Sequence, residues 1–489
     1  MTRATMHARE LTLDLDPWSL FRTLASKERP FFIDAGQPWG EDWISSMGFR
    51  PRMQFRVTAS EPAESPLTTL EHVLADVRPD ARARRQPRPV PFAGGVVAAV
   101  AYETRHAIEQ GTRVAGEAPT APRVAGALYD AALSYDHRAR RWWLASWHLD
   151  ATALDAFAEE VRDAAADAAR GASPGAGRAR SMRGIAARRH ATLPMQTSPI
   201  TTNLDAAAYA ERVARIHAYI AAGDVYQVNL TQRFETRLPA PPIDIYGRLR
   251  AAEATPFGAY LDLGAERVLS RSPELFLRRR GDRIVTCPIK GTRPRGATPA
   301  SDAALAAELV LDPKERAEHV MIVDLERNDL GRVCVTGSVT VDDLAACVSF
   351  DTVQHLVSTV RGALRPGVGI GELLRATFPS GSITGAPKIR AMDVIAELEA
   401  TPRGFYTGAI GWIDAGGDCD LNVAIRTAVA EGDRLVYAAG GGIVADSRVD
   451  RERDELHLKA TAFFRALGVE DPRAGDRTHA RTAAGHAPR

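Results

Sequence analysis

The chain has 489 residues, more than one compact core usually holds, so its length predicts two lobes or one large composite sandwich. Its 62 basic side chains balance 61 acidic ones, which does not favour nucleic acid or an anionic membrane as a partner. Four cysteines, Cys287, Cys334, Cys347 and Cys419, stand far apart without a CxxC or Cys/His cluster, which argues against a zinc site or a disulfide framework. These limits favour an enzyme that acts on a small molecule.

The N-terminal stretch MTRATMHARELTLDLD lacks the apolar core of a secretion signal. The sequence also contains no apolar run long enough to span a bilayer. We therefore expect a cytoplasmic protein that does not associate with membranes.

The first half of the chain divides into three parts. Strand-like runs such as ALYDAALSY and RRWWLASWHL precede a helix-like stretch near 151–170, so residues 1–170 are expected to contribute to the sandwich. Residues 171–199 are rich in Gly, Ala, Arg and Pro without hydrophobic periodicity, which predicts a flexible linker. The similar composition of residues 471–489 predicts a disordered tail. Residues 200–470 are expected to form a second domain, which contains the candidate catalytic motifs described below.

Helices and strands alternate beyond the linker. Tyr209, Val213, Ile216 and Ile220 recur at helical spacing before Gly223, which predicts a helix that ends there. Further helices are expected near 302–310, 314–329, 370–376, 386–399 and 450–467, between β-type runs such as GAIGWID and RLVYAAGGGIV. This mixture predicts an α+β fold with mainly antiparallel sheets.

Two of these helices carry paired carboxylates. Glu315 and Glu318 share one helical face, and Glu452, Glu455 and Lys459 share another. The two helices could converge on one Mg²⁺, because this hard cation prefers oxygen ligands. The same spacing is typical of a solvated ion-pair face, so the pattern alone leaves both interpretations open.

The segment PIKGTRPRG places Lys290 between an apolar run and a Gly-Thr turn. Glu274 stands at a neighbouring strand end, and a hairpin would bring both side chains to one pocket. A desolvated lysine loses its proton more readily and can attack carbon, while a buried glutamic acid can protonate a leaving hydroxyl. An ordinary ion pair at two strand ends is the alternative.

A third motif could bind a carboxylate. If DLNVAIRTAVA is one strand, alternation points Arg426 away from the most apolar face. The glycines of AGGGIVADS leave backbone N–H groups accessible to an anion. The alternative is a glycine-rich bend beside a surface arginine.

His355 lies among apolar and β-branched residues, and this setting alone is typical of a histidine buried in the core.

Taken together, these motifs resemble one family. Residues 200–468 are similar to the chorismate-utilising enzymes in the blocks GDVYQVNLTQRF, SRSPELFL, PIKGTRPRG, KERAEHVMIVDLERNDLGRV, HLVSTVRG, FPSGSITGAPKIRAM, FYTGAIGW, IRTAV and GGGIVADS. The family includes anthranilate, aminodeoxychorismate, isochorismate and salicylate synthases. The resemblance implies a large two-sheet antiparallel sandwich flanked by helices, and a requirement for Mg²⁺.

The resemblance also implies roles for individual residues. The Mg²⁺ site would comprise Glu315, Glu318, Glu452 and Glu455, and His355 would be the active-site histidine. The side chains or amides expected to contact chorismate are those of Thr292, Thr384, Tyr406, Arg426, Gly441, Gly442 and Lys459.

Lys290 distinguishes branches of the family. Anthranilate synthases usually read Pro-Ile-Ala-Gly-Thr at this block, whereas aminodeoxychorismate synthases read Pro-Ile-Lys-Gly-Thr, as this chain does. The resemblance thus implies that Lys290 attacks C2 of chorismate while Glu274 protonates the departing C4 hydroxyl, after which ammonia adds at C4. The product would lead to 4-aminobenzoate and folate. No segment has the Gly-x-Cys-x-Gly elbow of a glutamine amidotransferase, which implies a separate glutaminase subunit.

Two other functions remain open at this point. One is anthranilate synthase component I, and the other is a silent subunit that only binds chorismate or a glutaminase. Residues 1–165 match the family loosely, and Ala35 stands where a serine is expected in the segment that holds tryptophan in relatives. The resemblance therefore does not extend to tryptophan binding.

Overall fold

The computed structural model describes residues 6–40, 42–62, 65–84, 86–109, 117–171, 198–350 and 353–473. Most of the predicted linker, residues 172–197, and the tail from residue 474 onward lie outside the described residues. The first residues of the predicted tail are held against the last helix, because Asp471 lies 2.8 Å from Nδ1 of His457 and accepts from Arg473.

The described residues contain twenty-four strands and eleven α-helices. The strands are β1 (His7–Leu11), β2 (Phe31–Asp34), β3 (Ile44–Gly48), β4 (Met53–Thr58), β5 (Gly95–Val100), β6 (Pro122–Tyr129), β7 (Ala131–Asp136), β8 (Arg141–Ser146), β9 (Thr201–Thr202), β10 (Gln227–Arg237), β11 (Phe257–Asp262), β12 (Glu266–Ser272), β13 (Leu275–Arg280), β14 (Arg283–Cys287), β15 (Ile289–Pro294), β16 (Thr340–Val341), β17 (Ala346–Ser349), β18 (Val353–Val357), β19 (Val360–Ala363), β20 (Gly385–Ala386), β21 (Ala409–Asp414), β22 (Cys419–Val423), β23 (Thr427–Glu431) and β24 (Arg434–Ile443). The helices are α1 (Pro17–Leu24), α2 (Ser65–Ala75), α3 (Ala81–Arg84), α4 (Ala151–Gly171), α5 (Ala206–Ala221), α6 (Pro242–Ala252), α7 (Pro299–Leu311), α8 (Pro313–Gly331), α9 (Ile370–Thr377), α10 (Lys388–Leu398) and α11 (Val449–Leu467).

The strands form three antiparallel sheets. The largest has twelve strands in the order β1-β8-β7-β3-β2-β11-β12-β23-β24-β10-β20, with β9 also paired to β10. The second has nine strands in the order β16-β19-β14-β13-β22-β21-β5-β6-β4, and the third has the order β15-β18-β17. Both large sheets combine strands from before and after the predicted linker, since β2 pairs with β11 and β5 pairs with β21.

The core between the two large sheets explains their near-continuous apolar strands. On β5, Val97 and Ala99 join a buried cluster with Ala259 of β11 and Trp412 of β21. The alternate residues of β5, including Val96, belong to a second cluster that extends under the flanking helices. A strand buried on both faces needs apolar side chains at every position, which the run GVVAAV supplies.

The predicted α+β sandwich with antiparallel sheets and flanking helices is confirmed. The helices predicted from residue 302 onward appear as α7 to α11. All four cysteines are free, and Cys347 is the one that is partly exposed. Within the described ranges, no helix is both long enough and apolar enough to cross a membrane.

Candidate functional site

A cleft enclosing about 990 Å³, its mouth included, lies where the three-stranded sheet, α8 and α11 meet the end of the twelve-stranded sheet. This volume is in the range of small-molecule sites. The cleft is lined by every residue that the sequence assigned to the site except Thr384. Residues far apart in the sequence are thus brought together, which is the arrangement that the motifs predicted.

Lys290 and Glu274 reach the cleft from the two ends of a hairpin. Leu275 of β13 pairs with Cys287 of β14, so Glu274 just precedes the hairpin and the chain then continues into β15, which carries Lys290. Nζ of Lys290 donates to the carbonyl oxygen of Ser382 at 3.1 Å. The sequence-based expectation of a hairpin is confirmed by this register.

The environment shifts both groups toward their neutral forms. Burial lowers the pKa of Lys290, and the nearby charge of Lys459 lowers it further, while Glu318 and Glu274 oppose the shift. Burial raises the pKa of Glu274 to about 7, against the opposing effects of the Ser382 hydroxyl and the Lys290 ammonium. Both shifts are in the direction that a nucleophilic amine and a general acid require.

Four carboxylates also line the cleft. Helix α8 is capped by Asp312, whose side chain accepts from the backbone N–H groups of Lys314 and Glu315. The cap fixes the first turns of α8, which present Glu315 and Glu318 to the cleft. Helix α11 presents Glu452 and Glu455 to the same space, and its apolar stripe of Leu456, Ala460, Phe463 and Leu467 is buried.

Basic side chains balance part of this negative charge. Lys459 lies 2.8 Å from Glu455 and donates to the Gly440 carbonyl at 2.9 Å. Lys314 lies between the two helices, with Nζ 3.8 Å from Glu318 and 3.9 Å from Glu452. On the outer side, Arg293 contacts Glu315 at 3.3 Å.

The acidic cluster suits a hard cation in its chemistry. Among the described residues, no three His, Cys, Asp or Glu side chains are already arranged around one metal position. Burial nevertheless raises the pKa of Glu318 to about 7, and the charges of Glu315 and Glu452 add to this rise. The carboxylates therefore repel one another at neutral pH, and four oxygen donors on two helices fit an added divalent cation.

Arg426 lies at a break between two strands, which corrects the prediction of one continuous strand. Strand β22 ends at Val423 in the nine-stranded sheet, and β23 begins at Thr427 in the twelve-stranded sheet. The chain crosses between the sheets through a left-handed Arg426 with φ 50°. The guanidinium lines the cleft with Tyr406 and forms an ion pair with Glu253.

Gly441 and Gly442 belong to a strand, so the alternative of a glycine-rich bend is wrong. They pair with Leu230 and Asn229 of β10 on one side of β24. On the other side, pairing with β23 ends at Tyr437. The edge beyond Tyr437 therefore borders the cleft, where backbone groups can meet a substrate carboxylate.

His355 and Thr292 face each other across neighbouring strands. The register of β15 and β18 pairs them, and Nδ1 of His355 lies 3.1 Å from the Thr292 hydroxyl and 2.9 Å from the Gly291 carbonyl oxygen. Burial lowers the pKa of His355 to about 4, so the ring is neutral near pH 7. Its Nε2 atom has no partner among the described residues.

Thr384 lies behind the cleft wall. Its hydroxyl donates to the Ser380 carbonyl at 3.1 Å and its carbonyl oxygen accepts from Asn229 N–H at 2.8 Å. The sequence analysis overlooked Asn229, Ser382, Lys314 and Tyr437, all of which line the cleft. For Asn229, Ser382 and Lys314 the available signal was their position in GDVYQVNLTQRF, GSITGAPK and DPKERAEH, and for Tyr437 it was the strand run RLVYAAGGGIV.

A second cavity lies between the two large sheets and is lined by Ala35. Its charged groups are paired with each other, since Asp420 accepts from Arg278 at 3.0 Å and from Arg280 at 2.8 Å. This cavity shares no lining residue with the cleft.

The fold and cleft define a class of enzyme that binds a small carboxylate substrate on an antiparallel sandwich. A model of the family described as chorismate binding enzyme matches residues 28–465, and the chain belongs to this family.

Individual relatives carry two different names. Anthranilate synthase component 1 of Streptomyces coelicolor is 39% identical over 469 residues, covering 94% of this chain and 88% of its own. Aminodeoxychorismate synthase component 1 of Bacillus subtilis is 46% identical over 263 residues, or 54% of this chain and 56% of its own. The crystal structure of anthranilate synthase component I from Streptococcus pneumoniae TIGR4 matches with a TM-score of 0.69 and 26% identity, covering 93% and 99% of the two chains. Sequence similarity alone therefore does not decide which of the two reactions this chain catalyses.

Proposed function

We propose that this chain is component I of an aminodeoxychorismate synthase, which converts chorismate and ammonia into 4-amino-4-deoxychorismate. The observation that carries the proposal is the presence of the Lys290 amine and the Glu274 carboxyl in one cleft, both shifted toward their neutral forms. Anthranilate synthases, by the resemblance above, usually have alanine at this position and so lack the amine.

Two sets of groups in the cleft suit the two carboxylates of chorismate. Arg426, Tyr406 and the free edge of β24 can bind one substrate carboxylate. Mg²⁺, when held by Glu315, Glu318, Glu452 and Glu455, would neutralise the carboxylate on the ring. This division leaves the ring beside Lys290 and Glu274.

The reaction then proceeds in two displacements. The neutral Lys290 amine forms a bond to C2 as the bond from C4 to its hydroxyl breaks, and Glu274 donates a proton so that water leaves. Ammonia next bonds to C4 while the bond from C2 to the lysine nitrogen, now a secondary ammonium, breaks and restores the neutral amine. The Glu274 carboxylate takes a proton from the new C4 ammonium, so both residues return to their starting states.

Ammonia would come from a separate glutamine amidotransferase subunit. The relatives named component 1 support an assembly of two components. A lyase acting next would release 4-aminobenzoate, the aromatic amine needed for folate.

The proposal is tested by product analysis of purified protein with chorismate, ammonium and Mg²⁺, with and without aminodeoxychorismate lyase. We expect 4-aminobenzoate only when the lyase is present. The Lys290→Ala variant should lose this product or divert to a 2-amino compound, because C2 is then open to ammonia. Lys27→Ala, at a surface lysine paired with Glu160, is the control and should behave as the wild type.

Other outcomes would identify the alternatives. Anthranilate formed by the wild type without lyase would assign the chain to anthranilate synthesis. Binding of chorismate without turnover would identify a silent binding subunit. An unchanged rate and product in Lys290→Ala would remove Lys290 from the covalent role.

A further inference from the structure

A buried carboxylate outside the cleft contacts the turn that holds Lys290. Glu326 lies on α8 with no exposed surface. Its Oε1 atom accepts from the Ser380 hydroxyl at 2.8 Å and from the Gly381 backbone N–H at 2.9 Å. Its Oε2 atom has no hydrogen-bond partner among the described residues. Both hydrogen bonds that the buried carboxylate accepts come from one turn, and they hold this turn in place.

The turn at residues 380–384 connects Glu326 to both proposed catalytic groups. The Ser382 carbonyl in this turn accepts from Nζ of Lys290 at 3.1 Å. The Ser382 hydroxyl lies 3.1 Å from the Ser380 hydroxyl and also lowers the pKa of Glu274. Burial raises the pKa of Glu326 itself to about 7, and when Glu326 is ionised its charge raises the pKa of Glu274. One carboxylate therefore acts on the nucleophile and on the acid.

The turn is also packed closely against α8. A Cβ atom at Gly381 would lie 2.5 Å from Cδ2 of Leu325, the residue before Glu326. Any side chain at Gly381 would therefore require the Leu325 side chain to move. The close packing against Leu325 and the two hydrogen bonds to Glu326 hold the turn in one position relative to α8.

We propose that Glu326 is a positioning residue, which fixes the turn at 380–384 and thereby aims the Lys290 amine at the substrate. The inference rests on the proposed function for the identity of the nucleophile. It goes beyond that function by assigning a role to a residue that does not line the cleft. Glu326 acts through the turn and touches no reacting atom.

The same helix offers a matched control. Asp329 is a buried carboxylate one turn further along α8, where it forms an ion pair with Lys388. Lys388 also donates to the Thr377 carbonyl at 3.1 Å. This pair lies close to Glu326 but makes no hydrogen bond to the residues of the turn at 380–384. The charge of Asp329 adds to the effect of burial in raising the pKa of Glu326, so Asp329→Asn changes the electrostatics around Glu326 but leaves both of its hydrogen bonds to the turn in place.

The test compares Glu326→Ala, Glu326→Gln, Ser380→Ala and Asp329→Asn in the full chain. We expect Glu326→Ala to lower kcat about 10- to 100-fold with little change in KM for chorismate, because a misplaced nucleophile slows the chemical step more than binding. Glu326→Gln should recover most of kcat, since its amide oxygen can accept the same two hydrogen bonds. Ser380→Ala removes one of these bonds and should give an intermediate kcat if Glu326→Ala does not fold.

A second readout does not depend on turnover. Competitive acetylation with acetic anhydride, resolved at Lys290 by mass spectrometry across a pH series, reports the environment of the amine directly. Its profile should change in Glu326→Ala and Ser380→Ala, and should match the wild type in Asp329→Asn. An unchanged Lys290 profile in both Glu326→Ala and Ser380→Ala would overturn the proposal.

The two readouts also separate this inference from the proposed function. A changed Lys290 profile, together with a wild type that makes no 4-amino product, would retain the positioning role and reject the proposed reaction. Loss of kcat in Asp329→Asn equal to that in Glu326→Ala would reduce the role of Glu326 to general stability and so reject the inference.

Discussion

Arg403 and Glu399 form a buried ion pair behind the cleft, with a distance of 2.8 Å and side chains only 2% and 4% exposed. Arg403 also donates to the carbonyl oxygens of Ile383 and Asn229, each at 2.9 Å. Glu399 accepts from the backbone N–H and the hydroxyl of Thr231. The pair thus joins α10, β10 and the turn beside Lys290 into one rigid wall.

Loss of Arg403 should destabilise the fold strongly. Arg403→Ala leaves the Glu399 carboxylate buried without its cation, which typically costs about 3–5 kcal/mol. Urea unfolding followed by tryptophan fluorescence measures the loss. Arg237→Ala is the control, because Arg237 and Asp433 form a pair with side chains 75% and 70% exposed, and such pairs contribute about 0–1 kcal/mol. Equal unfolding midpoints for the two variants would contradict the expectation.

Much of the fold and cleft could be predicted because local patterns determine them. The apolar stripe of α11 orients that helix, and on both α8 and α11 the glutamates at i and i+3 share a face. The hairpin between Glu274 and Lys290 followed from two strand runs separated by a short polar turn. These features depend on residues near one another in the sequence.

Other features depend on distant contacts that no local pattern records. The break at Arg426 was missed because the residues on both sides alternate like one strand and no glycine marks the left-handed turn. Glu326 lies in the polar run LERND and resembles a solvated residue there. It is buried because a turn from residues 380–384 packs over it. Such burial is determined by tertiary structure alone.

The pH dependence of the reaction should report the carboxyl of Glu274. Burial raises its pKa from 4.5 to about 7, and the proposed acid works only when protonated. We expect kcat/KM to fall by about tenfold per pH unit once the pH exceeds the pKa of both Glu274 and Lys290, since the protonated fraction of Glu274 then falls by this factor while Lys290 is already neutral. Rate measurements with saturating ammonia, corrected for the ionisation of ammonium, give the profile.

Glu274→Gln is the matching variant, because it retains the shape of the side chain and has no proton to donate as an acid. We expect the alkaline limb from Glu274 to disappear and the rate to drop by about 10²–10⁴.

The pH dependence of the free energy of unfolding provides an independent check on the pKa of Glu274. The folded pKa is raised, so ionisation of Glu274 destabilises the native state as pH rises from 4.5 through about 7. Above that range Glu274→Gln should be more stable than the wild type, and a lower stability there would contradict the assigned shift.

Metal binding should be visible in thermal stability without any turnover. We expect Mg²⁺ to raise the melting temperature of the wild type, because a ligand that binds only the native state stabilises it. Glu318→Gln should reduce this rise, since it removes one of the four carboxylates proposed to hold the cation. Without Mg²⁺ the same variant should melt above the wild type near neutral pH, because burial and the neighbouring glutamates disfavour ionised Glu318.

Asp324→Asn is the control for the metal experiment. Asp324 lies on the same helix, but its side chain is 62% exposed and pairs with Arg327. It should leave both the melting temperature and the effect of Mg²⁺ unchanged. If Mg²⁺ stabilises Glu318→Gln as much as the wild type, then Glu318 is not a ligand, and the cation binds through other residues. If Mg²⁺ stabilises neither protein, the substrate carboxylate is the next candidate ligand. Isothermal titration with Mn²⁺ in the presence of chorismate then tests whether this carboxylate is needed to complete the site. Mn²⁺ is suitable because Mg²⁺ and Mn²⁺ both prefer carboxylate oxygens.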